Sequence, residues 1–197
     1  MNNPSPKSKP ASDQRKLIMY ITLAVIIIGG FVAVGFASRV PQAATQAPKG
    51  PAAIKVGQKA PEFAVSTTAG LFDLATTQTP VFLEVFATWC PHCQRETKVV
   101  DALAAKYGKA ISFVGVSGDS HGMDGSEPES QGDVLSFASK FSVTYPIAYD
   151  ADLKVAGAYL QTGFPTFVII KKDKTIAYIG DGEVTQDVLD KAIKAVL

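Results

Sequence analysis

The stretch Val81–Glu96, VFLEVFATWCPHCQRE, constrains this chain more than any other. It holds both cysteines, the single tryptophan, one of the two histidines and two glutamates. Val81, Phe82, Leu83, Val85 and Phe86 form an apolar run without strict alternation, the pattern of a strand buried on both faces. Ala87, Thr88 and Trp89 leave that strand, and Cys90 stands where a helix should begin. Pro91 suits a first helical position, because its missing N–H would be unpaired there anyway. Val100, Leu103, Ala104 and Tyr107 continue the helical spacing, and Gly108 offers a stop. Cys90 therefore lies at a helix N-terminus, where exposed amides and the helix dipole favour a thiolate. Cys93, one turn on, is near enough to form or resolve a disulfide with it.

Glu84 is out of place in such a strand. It shares a face with Phe82 and Phe86, where a carboxylate is costly and should hold its proton more tightly. A strand that runs into Cys90 brings this acid towards the inner Cys93, where it can take and return the thiol proton. Glu96 sits one turn after Cys93, on the side shared with Val100 and Ala104, and is a second candidate proton carrier.

With these residues in view, the chain resembles the thioredoxin-like thiol–disulfide oxidoreductases, and among them the membrane-anchored, extracytoplasmic TlpA/ResA type. The resemblance runs from about Val56 to Leu197 and rests on VGQKAPEF, the TWCPHC segment, ISFVGVSGD and GFPTFVII. It implies an α/β, thioredoxin-like fold with a central mixed sheet flanked by helices. It also implies catalysis by Cys90 and Cys93, a buried acid at Glu84 and a second acid at Glu96. Phe164–Pro165 matches the pair, with a cis-proline, that receives the substrate backbone, and Trp89 and Thr166 flank the same site. A membrane electron donor of the CcdA/DsbD type and protein thiol or disulfide substrates are the implied partners. Two features depart from the pattern. The dipeptide Pro91–His92 is that of the oxidising DsbA proteins, and His121 to Ser130 reads as an insertion.

The remaining composition limits the alternatives. Seven of the 19 basic residues precede Val56 against Asp13 alone, leaving 12 basic and 17 acidic residues beyond it. A mildly acidic domain is not a nucleic-acid binder. Residues 1–16 are polar and read as a disordered cytoplasmic tail. Residues 17–37 carry no charge, and 21 residues at about 1.5 Å each match a ~30 Å hydrocarbon core, so they predict a transmembrane helix rather than a cleaved leader. Lys7, Lys9, Arg15 and Lys16 favour the N-terminus inside and the catalytic domain outside, in a single-pass cell-membrane arrangement. Residues 38–55 read as a linker and residues 56–197 as the thioredoxin-like domain.

Within that domain, Phe63–Ser66 and Leu71–Leu74 are expected as short edge strands, Ile111–Val116 as a second buried strand, and Tyr145–Tyr149 as a third. Phe167–Ile170 and Thr175–Ile179 are expected to form a hairpin. Helices are expected around Val134–Phe141, over Asp152–Leu160 and at the C-terminus, where Thr185 is a candidate N-cap. Gly118–Gly132 reads as a solvated loop at the active-site rim. Its Asp119, His121, Asp124, Glu127 and Glu129 match neither an EF-hand nor a zinc motif.

Neither a cofactor nor a metal is called for. A structural zinc site would need both His92 and His121 to join the two cysteines. A copper-handling module would have to recruit His121 or Met123. A peroxiredoxin-type peroxidase resembles P-x-x-x-T-x-x-C, whereas Ala87 stands three residues before Cys90 and Phe86 four. His92, between the cysteines, is expected to stabilise the Cys90 thiolate and, with Pro91, to tune the redox potential. The function expected is a membrane-anchored thiol–disulfide oxidoreductase acting as a reductant, in cytochrome c maturation or general disulfide reduction. A DsbA-like thiol oxidase is the alternative.

Overall fold

A computed structural model describes residues 16, 19–21, 53–126 and 128–197. The chain divides into two compact units, residues 1–49 and 50–197. Of the first, the described residues are helical and exposed. Most of the expected span 17–37, of the tail and of the linker lies outside the described residues. Among the described residues no helix is long and apolar enough to cross a membrane.

The second unit is one seven-stranded mixed sheet with helices on both faces. Its strands are β1 (Ala64–Thr67), β2 (Gly70–Asp73), β3 (Val81–Phe86), β4 (Ser112–Ser117), β5 (Ile147–Tyr149), β6 (Thr166–Ile170) and β7 (Ile176–Asp181). They lie in the order β2-β1-β5-β4-β3-β6-β7. The helices are α1 (Pro91–Tyr107), α2 (Gln131–Phe141), α3 (Lys154–Tyr159) and α4 (Gln186–Lys194). β3 is buried along its whole length, paired in parallel with β4 and antiparallel with β6. The pleat splits its side chains between two cores. Phe82 and Phe86 join Val100, Leu103, Phe137, Leu189 and Ile193 from α1, α2 and α4. Val81, Leu83 and Val85 join Val155, Ala156 and Tyr159 from α3 on the other side.

Several expectations change in detail. The N-terminal hairpin has one edge strand, not two: β1 also pairs with β5 through Thr67 and Ala148. Ile54 is already buried in the core, before the expected start at Val56. β5 begins at Ile147 rather than Tyr145, since Pro146 has no N–H to give a ladder. The loop after β4 ends at Ser130, not Gly132. Ser130 and Asp133 form a reciprocal capping box that starts α2 at Gln131. α3 is shorter than expected and is begun by Asp150, whose carboxylate accepts the amides of Lys154, Val155 and Ala156. Thr185 stands at the N-cap of α4, but its side chain makes no capping bond.

Where β4 ends, the chain passes hard against its neighbours. Gly118 donates its amide to Phe86 O at 2.8 Å. A Cβ there would lie 2.6 Å from Ala156 Cβ and 2.8 Å from Val85 Cγ1. Gly118→Ala should therefore destabilise the domain by about 1–3 kcal/mol through overpacking, read as a lower urea midpoint at unchanged slope.

Candidate active site

The end of β3 and the start of α1 set the two sulfurs. Cys90 occupies the N-cap of α1 in extended conformation, its side chain making no capping bond, and Pro91 opens the helix. Both cysteines are free thiols. Cys90 retains 4% exposure and Cys93 has none. Cys90 Sγ donates to Phe164 O at 3.8 Å, across the cleft from the cis Phe164–Pro165 bond. Cys93 faces inward. Burial, and then the charge of Glu84, push its thiol pKa far up, against a smaller opposing pull from the Ala87 N–H.

Glu84 lies beside it in the sheet interior, 1% exposed. Burial pushes its pKa up to about 8. A hydrogen bond from Tyr145 Oη to Glu84 Oε2, 2.6 Å long, works the other way. The tyrosine reaches the acid because β4 has Gly115 opposite Glu84. A Cβ on Gly115 would come 3.1 Å from Tyr145 Cε2. Glu96 is also buried, and its Oε2 has no hydrogen-bond partner. Burial followed by repulsion from Glu183 raises its pKa, while the Val184 N–H and Arg95 oppose the rise.

These are the parts of a thiol–disulfide exchange centre, and the comparisons with known proteins agree. Residues 56–179 match the AhpC/TSA family. The chain belongs to that family. Within it, the chain is 30% identical over 143 residues to the thiol-disulfide oxidoreductase ResA of Oceanobacillus iheyensis, covering 69% of this chain and 70% of the relative. The ResA of Bacillus thuringiensis is 28% identical over 148 residues, covering 73% and 79%. A secreted disulfide oxidoreductase of Mycobacterium tuberculosis, homologous to E. coli DsbE, superposes with a TM-score of 0.55 at 26% identity, covering 68% of this chain and 95% of that one. This AhpC/TSA member is a thiol–disulfide oxidoreductase with a thioredoxin-like fold.

Around the dithiol, its other expected site residues fall in different places. Trp89 is partly exposed and meets Phe164 edge-on, ring centroids 6.3 Å apart. Together they form an apolar lip over Cys90. Pro165 is buried beneath it. Thr166 is buried too, but its hydroxyl is engaged by Gly163 O at 3.0 Å and by Asp181 Oδ1, at the end of β7, at 3.2 Å. Its side chain therefore cannot meet a substrate. Pro91 is exposed beside His92.

His92 is not bonded to Cys90, as expected of a thiolate stabiliser, but turned to the rim of the site. Its Nδ1 lies 2.9 Å from Arg95 Nη2 and 3.3 Å from Glu183 Oε2, while Arg95 Nε donates to Glu183 Oε1 at 2.6 Å. The one nitrogen can serve only one neighbour at a time. Neutral at Nδ1, it accepts from Arg95; protonated there, it donates to Glu183.

Four residues escaped the sequence reading. Tyr145 and Glu183 reach the site from distant segments and carry no local signal. Arg95 was legible only as helix surface. Glu129 falls in the stretch expected as a solvated loop, yet it is 3% exposed and takes hydroxyl donors from Thr88 and Ser117. The Ser130–Asp133 capping box was the signal available, since it makes Glu129 the residue leading into α2 rather than mid-loop. Glu127 lies outside the described residues.

Glu84 ties stability to pH. In the unfolded chain it ionises near 4.5, whereas folded it keeps its proton up to about 8. Its contribution is thus fully present below pH 4.5 and is lost as pH rises towards 8, by an amount on the order of a few kcal/mol. Glu84→Gln removes that dependence. In urea titrations the variant should gain on the parent steadily between pH 4.5 and pH 8; a gap independent of pH would mean Glu84 is ionised in the fold.

Proposed function

We propose that this oxidoreductase is anchored in the cell membrane through residues 17–37, with its domain outside the cytoplasm, and reduces disulfides of protein substrates there. The observation that carries the reading is the asymmetry of the two sulfurs. One stands at the helix start under an open lip, and the other is sealed inside beside a carboxyl that still holds a proton near neutrality.

In this reading the Cys90 thiolate attacks one sulfur of a substrate disulfide lying along Phe164–Pro165. The substrate S–S bond breaks, a mixed disulfide forms, and the first substrate sulfur leaves and takes up a proton. Cys93 then gives its proton to ionised Glu84, with Glu96 as a second acceptor, and attacks the Cys90 sulfur. The mixed disulfide breaks, the second substrate sulfur departs as thiolate, and it collects the proton held by Glu84. Two electrons have passed from the dithiol to the substrate, leaving a Cys90–Cys93 disulfide. A membrane donor of the CcdA/DsbD type returns two electrons to it.

Two observations favour the reducing direction over a DsbA-like oxidase. Among the described residues, only α2 and α3, of 11 and six residues, lie between α1 and Pro165, with no inserted helical domain. The oxidising influence of the Pro91–His92 dipeptide depends on the imidazole bonding the Cys90 thiolate, and His92 is bonded to Arg95 and Glu183 instead. A peroxidase reading gains nothing here, since Phe86 and Ala87 hold the positions before Cys90.

The Cys90–Cys93 reduction potential, measured by equilibration with glutathione or dithiothreitol, should fall nearer thioredoxin's value of about −270 mV than the DsbA value of about −120 mV. A potential at the DsbA end would reverse the direction of electron flow. Cys93→Ser should accumulate a mixed disulfide through Cys90, and Cys90→Ser should form none.

A further inference from the structure

The loop between β4 and α2 packs a carboxylate beneath the turn that carries Cys90. Thr88 Oγ1 donates to Glu129 Oε1 at 2.7 Å. Ser117 Oγ, at the end of β4, lies 2.7 Å from Oε1 and 2.6 Å from Oε2. Thr88 and Ser117 are fully buried. The glutamate backbone is pinned as well: Tyr149 Oη donates to its carbonyl at 2.7 Å, and its N–H donates to Ser120 O at 2.6 Å.

Among the described residues no basic side chain is paired with this carboxylate. Its hydrogen-bonding partners are hydroxyls, and the acids Asp133 and Asp119 repel its charge. An acid buried without a counter-charge is costly, and an apolar residue would fill the same space more cheaply. What the carboxylate gains is a hold on Thr88, two residues before Cys90. The rest of that turn is fixed from α1: Gln94 Nε2 donates to Thr88 O at 3.0 Å, and Cys90 N–H donates to Ala87 O at 3.1 Å. The Ala87 N–H in turn acts on the Cys93 sulfur. Segment 87–90 therefore sets both sulfurs; from outside β3 and α1, Glu129 anchors it at the buried Thr88 hydroxyl, while Asp119 and Phe164 hold the partly exposed Trp89.

We propose that Glu129 is a positioning residue for thiol–disulfide exchange: through the Thr88 hydroxyl it fixes the turn that presents Cys90 and sets the Ala87 amide against Cys93. The proposal rests on Cys90 being the attacking sulfur. The loop that carries Glu129 thereby belongs to the active site rather than to its solvated rim.

The test uses the reduced full chain, with folding checked by circular dichroism, and reads two rates: single-turnover reaction with the model disulfide 5,5′-dithiobis(2-nitrobenzoate), and Cys90 alkylation by iodoacetamide across pH. Glu129→Ala and Thr88→Val should each slow both by about ten- to a hundredfold, the scale of a misplaced reacting group. Glu129→Gln keeps an acceptor for Thr88 and should recover most of the rate. The double variant should be no slower than Glu129→Ala alone, because the two side chains act as one unit. Rates for Thr88→Val within about twofold of the parent, or penalties that multiply in the double variant, would overturn the proposal, and Thr88→Val decides even if Glu129→Ala does not fold. Cys90→Ser is the separate control: if it still exchanges disulfides, the assignment of the attacking sulfur fails, whatever Glu129 does.

Discussion

The burial of Glu84 in the central strand organises this molecule. A carboxyl on the inner face of β3, between Phe82 and Phe86, is tolerated because it keeps its proton, and because Tyr145 meets its outward oxygen. That requirement reaches into neighbouring strands. β4 must offer a glycine opposite, and the segment before β5 must turn a tyrosine inward just ahead of Pro146. The same buried acid raises the cost of charge on Cys93, which then stays a thiol until an acceptor is ready. Fold and chemistry are thus set by one unfavourable placement and the contacts that make it bearable.

How much of this could be read from the chain follows the range of the interactions involved. The order strand, thiol, helix is local: an apolar run, two cysteines three apart and Pro91 fix it within 16 residues. Glu84 was legible for the same reason, as an acid where none belongs. Tyr145 was not, because its partner lies 61 residues away and an aromatic residue before a strand looks like strand. Glu129 was misread because five acidic or histidine side chains among glycines look solvated. Only the fold brings two buried hydroxyls to meet one of them, 41 residues from Thr88. His92 shows the opposite error. Its position between the cysteines pointed to the sulfur, whereas Arg95 one turn on and Glu183 after β7 supply nearer partners.

Three buried carboxyl groups, Glu84, Glu96 and Glu129, lie in and beside the segment that carries the dithiol, and among the described residues no basic side chain is buried. Arg95 is exposed and already engaged by Glu183. When Glu84 is ionised it makes a Cys93 thiolate costly, which destabilises the reduced, ionised form of the pair. Each ~30 mV of potential corresponds to about 1.4 kcal/mol for this two-electron couple, so even modest repulsion moves the balance towards an enzyme that gives its electrons away. The same acids work in the opposite sense during turnover. A thiol held protonated is inert until a base is at hand, and Glu84 becomes one only when it is ionised, which at neutral pH is a minority state. An acid-lined centre therefore carries a gate on exchange, and the gate opens as pH approaches the value at which Glu84 gives up its proton.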